Sequence, residues 1–256
     1  GAIYNDAGTI GDITGDFINN SANASSESSS AYAYGGAIYN NGIIGEEDSE
    51  GNVIGGIINS RFIGNHAVVN QGTALGGAIM TSKDLNIIAD NGISEFTGNY
   101  TQVGDVKDNN AIYVANSSKK LSLIARNNGQ IILNDNIDGT AGYTVSITGD
   151  NTGSLHLFND IRNANVEMGN INLNTINSAV RGYHFNNFTL SNDINFTADV
   201  DLANSTMDRI SADNYGNHNG NINVVGMNIL SEAKNSKTEI LFADAGLKDN
   251  VVNHVS

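Results

Sequence analysis

The chain has 256 residues, with 12 basic and 27 acidic side chains, a net charge of -15, and no Cys, Pro or Trp. The lack of cysteine excludes a disulfide framework and any cysteine-based metal or redox site. A chain this negative has no basic surface for nucleic acid or anionic lipid, so we do not expect nucleic-acid binding. No apolar run approaches the roughly 18 residues of a spanning helix, so we expect no membrane contact by this segment itself.

A glycine motif returns along the first half of the chain. Gly35-Gly36-Ala37-Ile38 recurs 41 residues later as Gly76-Gly77-Ala78-Ile79, and truncated copies stand at Gly1-Ala2-Ile3 and Asn110-Ala111-Ile112. Self-similarity of this kind is the sequence mark of a repeat architecture, in which equivalent residues stack on one another. We therefore predict that Ile38, Ile79 and Ile112 occupy one internal column.

A second motif follows each copy of the first. It reads F-x-x-N in Phe17-Ile18-Asn19-Asn20, Phe62-Ile63-Gly64-Asn65 and Phe96-Thr97-Gly98-Asn99, with a Leu-for-Phe variant in Leu133-Asn134-Asp135-Asn136. The repeat predicts that Phe62 and Phe96 form another internal column. Asn at a repeated bend can form a ladder of amides between stacked units. We therefore expect Asn99 to be buried and hydrogen-bonded to the adjacent coils.

The segments between these motifs alternate apolar and polar residues with period two, which places one face inward along a strand. Leu85-Asn86-Ile87-Ile88-Ala89-Asp90-Asn91 aligns with Leu121-Ser122-Leu123-Ile124-Ala125-Arg126-Asn127, with the apolar positions preserved. The alternation continues in later pairs such as Val145/Ile147 and Ile171/Leu173. Hydrophobic residues form 39% of the chain, which favours a packed β-rich fold over disorder.

Asn-Gly turns between apolar runs are typical of hairpins, so an antiparallel sandwich is the alternative fold. A sandwich gives no reason for the same apolar and Asn positions to return, whereas stacked coils do. The sequence predicts an all-β fold, a right-handed single-stranded parallel β-helix (solenoid) of the pectin-lyase-like kind. It is a single unit over 1-256, with the repeats in 1-136 and degenerate coils in 137-256.

The alternating G-G-A-I and F-x-x-N motifs over residues 1 to 136 resemble those of the chlamydial-type polymorphic outer-membrane proteins and related autotransporter passenger domains. The second half, including Asp199-Val200-Asp201-Leu202-Ala203-Asn204, looks like the later passenger region of large autotransporter-like adhesins. The resemblance implies export through the bacterial outer membrane and display at the cell surface. It also implies a membrane β-barrel further along the protein. The chain begins in the middle of the pattern at Gly1-Ala2-Ile3-Tyr4, so we expect it to be an excised fragment.

Enzymes that degrade polysaccharides share this fold, so catalysis depends on motifs. The N-T-D, D-D, G-H-G and R-I-K signatures of polygalacturonase-like hydrolases are absent; Arg209-Ile210-Ser211 lacks the Lys. A lyase needs a basic proton acceptor beside calcium-binding carboxylates. The one dense acidic run is Glu46-Glu47-Asp48-Ser49-Glu50. The arginines lie outside it: Arg61, Arg126, Arg162, Arg181 and Arg209. We therefore expect no enzyme and no catalytic residue.

Metal and cofactor sites are not expected either. The acidic run lacks the spacing of a calcium loop, which favours a solvated insertion loop over a calcium site. Asp199 and Asp201 share a strand face, and outward surface charge is favoured there over a weak metal site. Five scattered histidines show no ligand spacing and are expected on the surface or in turns: His66, His156, His184, His218 and His254.

A repeat without a catalytic constellation favours an adhesin or structural stalk that binds a host glycan or a host surface protein. The alternative is a polysaccharide hydrolase or lyase with carboxylates drawn from separate coils. A lateral groove with two convergent carboxylates and sugar-stacking aromatic residues would favour the alternative.

Overall fold

The computed structural model describes residues 1–27, 29–174, 179–232 and 245–253. Nearly all of the regular structure is β, and the described part of the chain has a single helix, the 3-10 helix Ala245–Asn250. None of the described residues forms a helix of the length and apolarity that a membrane crossing demands.

Three parallel sheets form the body of the molecule, and we name them A, B and C. Sheet A contains Ile3–Asn5, Ile38–Asn40, Ile79–Thr81, Asn110–Val114 and Asn136–Gly139. Sheet B contains Ile57–Ile58, Leu85–Asp90, Lys120–Arg126, Tyr143–Gly149, Ala164–Gly169, Gly182–Leu190 and Arg209–Tyr215. Sheet C contains Asp16–Ile18, Arg61–Ile63, Ile93–Thr97, Gln130–Leu133, Ser154–Leu157, Asn172–Asn174, Ile194–Asp201, Ile222–Ser231 and Val251–Asn253, with Thr206–Met207 beside Ile194–Asp201.

Short strands form smaller sheets around the first half. A lobe between sheets C and A contains the pair Ala31–Tyr34 and Gly72–Leu75, and the four strands Ser21–Ala24, His66–Val69, Tyr100–Val103 and Val106–Asp108. Two further pairs are Thr9–Ile10 with Ile43–Ile44 and Glu46–Glu47 with Val53–Ile54. The lobe has its own small core of Ala31, Ala33, Ala67 and Val69.

Up to Gly139 the chain passes through sheets A, B and C in turn and returns to A, and its later passes alternate between strands of sheets B and C. Strands of successive passes pair in parallel, which the crossover through the other two sheets allows. The antiparallel pairings in the described ranges are confined to three short hairpins. This arrangement is consistent with a parallel β-helix and contradicts the antiparallel sandwich.

The predicted columns are confirmed. Ile38 pairs with Ile79 and Ile79 with Ile112, and all three side chains are fully buried. Phe62 pairs with Phe96, and their rings stack 4.8 Å apart at an angle of 3°. The aligned segments also hold their register, with Leu85 beside Leu121.

The predicted Asn ladder is confirmed as well. Asn20 donates from its backbone N–H and its Nδ2 to Oδ1 of Asn65, both at 2.9 Å. Asn65 donates in the same way to Oδ1 of Asn99, at 3.0 and 2.9 Å. Nδ2 of Asn99 also donates to the carbonyl of Phe62 at 2.8 Å. The amides thus satisfy the polar groups of a buried corner.

The prediction for the fourth copy of F-x-x-N is wrong by one residue. Leu133 does pair with Phe96, but the ladder ends on Asp135, whose Oδ2 accepts from the N–H and Nδ2 of Asn99 at 2.9 and 2.8 Å. Asn136 instead pairs with Asn110 in sheet A. A carboxylate suits this end because it only accepts hydrogen bonds, whereas an amide there would need an acceptor of its own. Burial raises the pKa of Asp135 above its usual value, although three N–H donors oppose the shift.

The glycine corners allow two passes to approach closely. A Cβ added to Gly77 would overlap the backbone of Tyr100 and Asn110, whereas one added to Gly11 would meet nothing within 4 Å. We expect Gly77→Ala to lower the free energy of unfolding by about 1 to 3 kcal/mol and Gly11→Ala to change it by less than about 0.5 kcal/mol. Urea unfolding of both variants measures this, and equal midpoints would contradict the close packing.

Candidate functional site

Four neighbouring tyrosines form a partly exposed surface on the first two passes, which we call the tyrosine patch: Tyr4, Tyr32, Tyr34 and Tyr39. Strand alternation explains their position. Ala31 and Ala33 face the small core of the lobe, so Tyr32 and Tyr34 face outward. Tyr4 and Tyr39 alternate with inward residues of sheet A in the same way.

The rings form one chain of neighbours. Tyr4 and Tyr39 pair in register, and their rings stack 4.9 Å apart at 11°. The ring of Tyr34 lies 6.3 Å from Tyr39 at 21°, and Tyr32 lies 6.1 Å from Tyr34 at 51°. Tyr4 is 72% and Tyr32 59% exposed, while Tyr34 and Tyr39 are half-buried. The patch therefore presents aromatic faces at two exposed ends of a supported row.

The first full glycine motif positions the patch. Gly35 takes a φ of 59°, in the left-handed region that favours glycine. A Cβ on Gly36 would overlap the carbonyl of Gly77 in the next pass. This tight corner joins Ala31–Tyr34 to Ile38–Asn40 and so brings Tyr34 beside Tyr39.

The patch does not extend along the later passes as a tyrosine row. Thr73 and Leu75 pair with Tyr32 and Tyr34, and Met80 pairs with Tyr39. The next pass therefore carries other residues at these positions, and Met80 among them is buried. This difference follows from sequence at outward positions, which the core does not constrain.

The phenols of Tyr34 and Tyr39 stay neutral at physiological pH. Burial raises the pKa of Tyr34 above its usual value, and the neighbouring Tyr32 and Tyr39 add to the shift. Burial likewise raises the pKa of Tyr39, with further contributions from Tyr4 and Asp6. Each hydroxyl can therefore donate and accept a hydrogen bond.

A polar cavity of about 320 Å³ lies beside the patch. Its charged lining residues are Asp6, Lys83, Asp84, Lys119 and Glu47. Lys119 Nζ lies 3.3 Å from a carboxylate oxygen of Asp84. Two lining residues, Asp6 and Asn41, each stand two residues after a tyrosine of the patch in the chain. Carboxylates and ammonium groups thus line one cavity.

Comparison with protein-family models, with curated proteins and with solved structures finds no match to this chain.

The acidic run forms an exposed hairpin, as expected of a solvated loop. Glu46–Glu47 pairs with Val53–Ile54, and Asp48 closes the turn by accepting from the backbone and side-chain N–H groups of Asn52. These bonds lower the pKa of Asp48. No group of three or more His, Asp or Glu side chains that could hold a metal ion occurs within the described residues.

We predict that calcium is not needed for folding. The run lacks ligand spacing, and the Asp48 carboxylate already accepts protein hydrogen bonds. We expect the melting temperature to stay the same when millimolar calcium or a chelator is added. A rise of many degrees with calcium would contradict this, because a ligand bound only by the native state stabilises it.

The expectation for Asp199 is wrong. Its side chain is fully buried rather than outward, and its Oδ1 accepts from Nδ2 of Asn228 at 3.0 Å. Its backbone N–H donates to Asp208 at 2.9 Å. Asp201 is partly exposed, with Asn204 and Ser231 as partners. Strand alternation alone does not foresee this, because the burial depends on contacts with Asp208 and Asn228 from other segments.

The expectation for the histidines is wrong for His156, which is 4% exposed. Its Nδ1 donates to the carbonyl of Asn174 at 3.0 Å, and Nε2 accepts from Ser154 Oγ at 3.2 Å. Burial lowers its pKa, so the ring is neutral. His184 is exposed as expected, and His66 and His218 are partly buried. His254 lies outside the described residues.

The sequence reasoning also missed the tyrosine patch. The signal was present, because Ile3-Tyr4-Asn5 repeats as Ile38-Tyr39-Asn40 and Ala31-Tyr32-Ala33-Tyr34 alternates. Outward positions are not constrained by the core, so these repeats do not by themselves show that the rings meet.

Proposed function

We propose that this chain is a right-handed single-stranded parallel β-helix of the pectin-lyase-like kind, and that it is an adhesive passenger domain of a bacterial autotransporter-like protein. Three parallel sheets built from strands of successive passes support the fold. The alternating G-G-A-I and F-x-x-N motifs support the family. Its place is the bacterial cell surface, after export through the outer membrane.

The tyrosine patch is the observation that carries adhesion. Exposed aromatic surface is costly in water unless it serves an interaction, and contiguous patches mark binding sites. Tyrosine offers a large rigid contact at low entropic cost, with a hydroxyl for specificity. In-register strand pairs hold the backbone of the patch in place, so binding costs little conformational entropy. The rest of the rod then acts as a stalk.

Retention of the purified chain on cultured epithelial cells tests this function. We expect the chain to bind saturably and Tyr4→Ala with Tyr32→Ala to remove most of the binding. Val106→Ala is the control, because Val106 is 74% exposed and lies outside the patch. A chain that does not bind above background would act as a stalk alone.

A second candidate is a polysaccharide hydrolase or lyase, favoured by the cavity beside the patch. Carboxylates from three segments, Asp6, Glu47 and Asp84, line it together with Lys83 and Lys119. Incubation with pectic and neutral polysaccharides, followed by assay of new reducing ends and of unsaturated products, tests this candidate. Activity that Asp84→Asn abolishes would support it, and no product after prolonged incubation would exclude these substrates.

A further inference from the structure

We propose that a cavity between two later passes binds an oxyanion group, the carboxylate or sulfate of a small ligand, and that Arg181 is the residue that receives it. The cavity has a volume of about 240 Å³ and is lined by residues 157–161 and 181–185. No tyrosine of the patch lines it, so this site is separate from the proposed adhesive surface and independent of it.

The cavity lies where sheet A ends. Ile161 extends that sheet by a single bridge to Ile137, and no described strand pairs with Ile161 on the next pass. Residues 157–161 lie at the end of Ser154–Leu157 and just beyond it, and residues 181–185 begin the strand Gly182–Leu190. The hollow therefore lies beside a wall that the described strands do not continue.

Three contacts hold Arg181 in place at this hollow. Its backbone N–H donates to Oδ1 of the fully buried Asp208 at 2.6 Å. Its Nη1 donates to the carbonyl of Phe158, and its Cζ lies 5.1 Å from the centre of the Phe158 ring. The guanidinium is therefore pre-organised, so binding an anion orders the side chain less than it would order a free surface arginine.

The guanidinium of Arg181 has no acidic partner. Arg61, Arg126 and Arg162 each pair with a carboxylate, whereas none of the described residues supplies one to Arg181. Its Nε is buried without a hydrogen-bond partner in the described part of the chain, and so is the hydroxyl of Tyr183, another lining residue. A buried donor without an acceptor is unfavourable, so a ligand that brings acceptors here would be stabilised.

The local charge suits an anion. Asp160 is the one carboxylate among the lining residues, and it is exposed to solvent. A second hollow of about 400 Å³ shares Asp160, Ile161 and His184 with the cavity and adds Arg162. The net charge of -15 matters less than this lining, because charges beyond about 8 Å are largely screened at physiological ionic strength. The planar fork of an arginine binds two oxygens of a carboxylate or sulfate at once.

Heteronuclear NMR of the intact 256-residue chain follows binding residue by residue. The probes are acetate, sulfate and glucuronate, and the methyl ester of glucuronate is the uncharged counterpart. We expect one or more of the anions to shift the amide signals of residues 157–161 and 181–185 saturably. The ester should bind about tenfold more weakly than glucuronate or worse, because it loses the charge-assisted hydrogen bonds.

The three anions distinguish the sources of the oxyanion. Equal affinity for acetate, sulfate and glucuronate would mean that the site recognises the oxyanion alone. Tighter binding of glucuronate would mean that the sugar adds contacts of its own. Either result supports an oxyanion site at Arg181.

Variants assign the role to Arg181. We expect Arg181→Gln to weaken anion binding by about tenfold or more. Arg126→Gln is the matched control, because it removes the same charge from a guanidinium that already pairs with Asp90 at 2.9 Å and does not line the cavity. Circular dichroism and melting temperature report whether each variant folds. If Arg181→Gln does not fold, Arg181→Lys decides, since it keeps the charge but loses the fork and should still weaken binding several-fold.

Four results would overturn the proposal. They are the absence of a saturable shift with any of the anions, shifts confined to other parts of the chain, equal binding of glucuronate and its ester, and equal weakening by the Arg181 and Arg126 variants. The last of these would mean that net charge, rather than a built site, attracts the anion.

Discussion

Replacing Asn99 by Leu is expected to lower the free energy of unfolding by about 3 kcal/mol. Asn99 is fully buried, and its side chain serves Asn65 on one side and Asp135 and Phe62 on the other. Leucine can replace none of these bonds, so the partners would remain buried without one, at about 1 to 3 kcal/mol for each group. Partial relaxation of the surrounding structure keeps the total loss of stability below the sum of these separate costs.

Asn217→Leu is the matched control for this variant, since Asn217 is exposed. Its substitution should change stability by roughly 0.5 kcal/mol or less. Urea denaturation followed by circular dichroism compares the two. Equal midpoints at unchanged slope would mean that the Asn99 bonds contribute nothing to stability and that the repeated Asn reflects local turn preference only.

Phe62→Ala should have an effect at least as large, about 3 to 5 kcal/mol. The side chain is fully buried, and its ring stacks between Phe17 at 4.7 Å and Phe96 at 4.8 Å. Truncation removes both contacts and leaves a cavity, which the paired backbone of sheet C prevents from closing. The midpoint of urea unfolding should fall accordingly.

Ile18→Ala serves as the control for the phenylalanine column, because Ile18 follows Phe17 in the same strand but is 51% exposed. We expect it to cost less than about 1 kcal/mol. A comparable loss in both variants would place the column elsewhere and contradict the register of Phe17, Phe62 and Phe96.

The repeat could be interpreted correctly from sequence because parallel in-register pairing places identical positions directly above one another. Ile38, Ile79 and Ile112 therefore had to share one environment, and the structure buries all three. The aligned segments that begin at Leu85 and Leu121 follow the same logic. Periodicity in the chain becomes a column in space without any knowledge of distant contacts.

The positions that the sequence misplaced lie where the repeat degenerates. Asp135, rather than Asn136, ends the ladder because the corner after Leu133 is one residue shorter than in the earlier copies. His156 is buried by the neighbouring pass that contains Asn174, and Asp199 by contacts with Asp208 and Asn228. None of these partners is near in sequence, so no local pattern could identify them.

The sequence by itself determined the all-β class, the inward columns and the amide ladder, because those depend on periodicity that the chain carries locally. Only the tertiary structure decided which outward residues meet. Tyr4, Tyr34 and Tyr39 come together because a glycine corner joins two sheets and the next pass stacks in register. Outward side chains are not constrained by the core, so their assembly into a surface depends on how the passes are placed against one another.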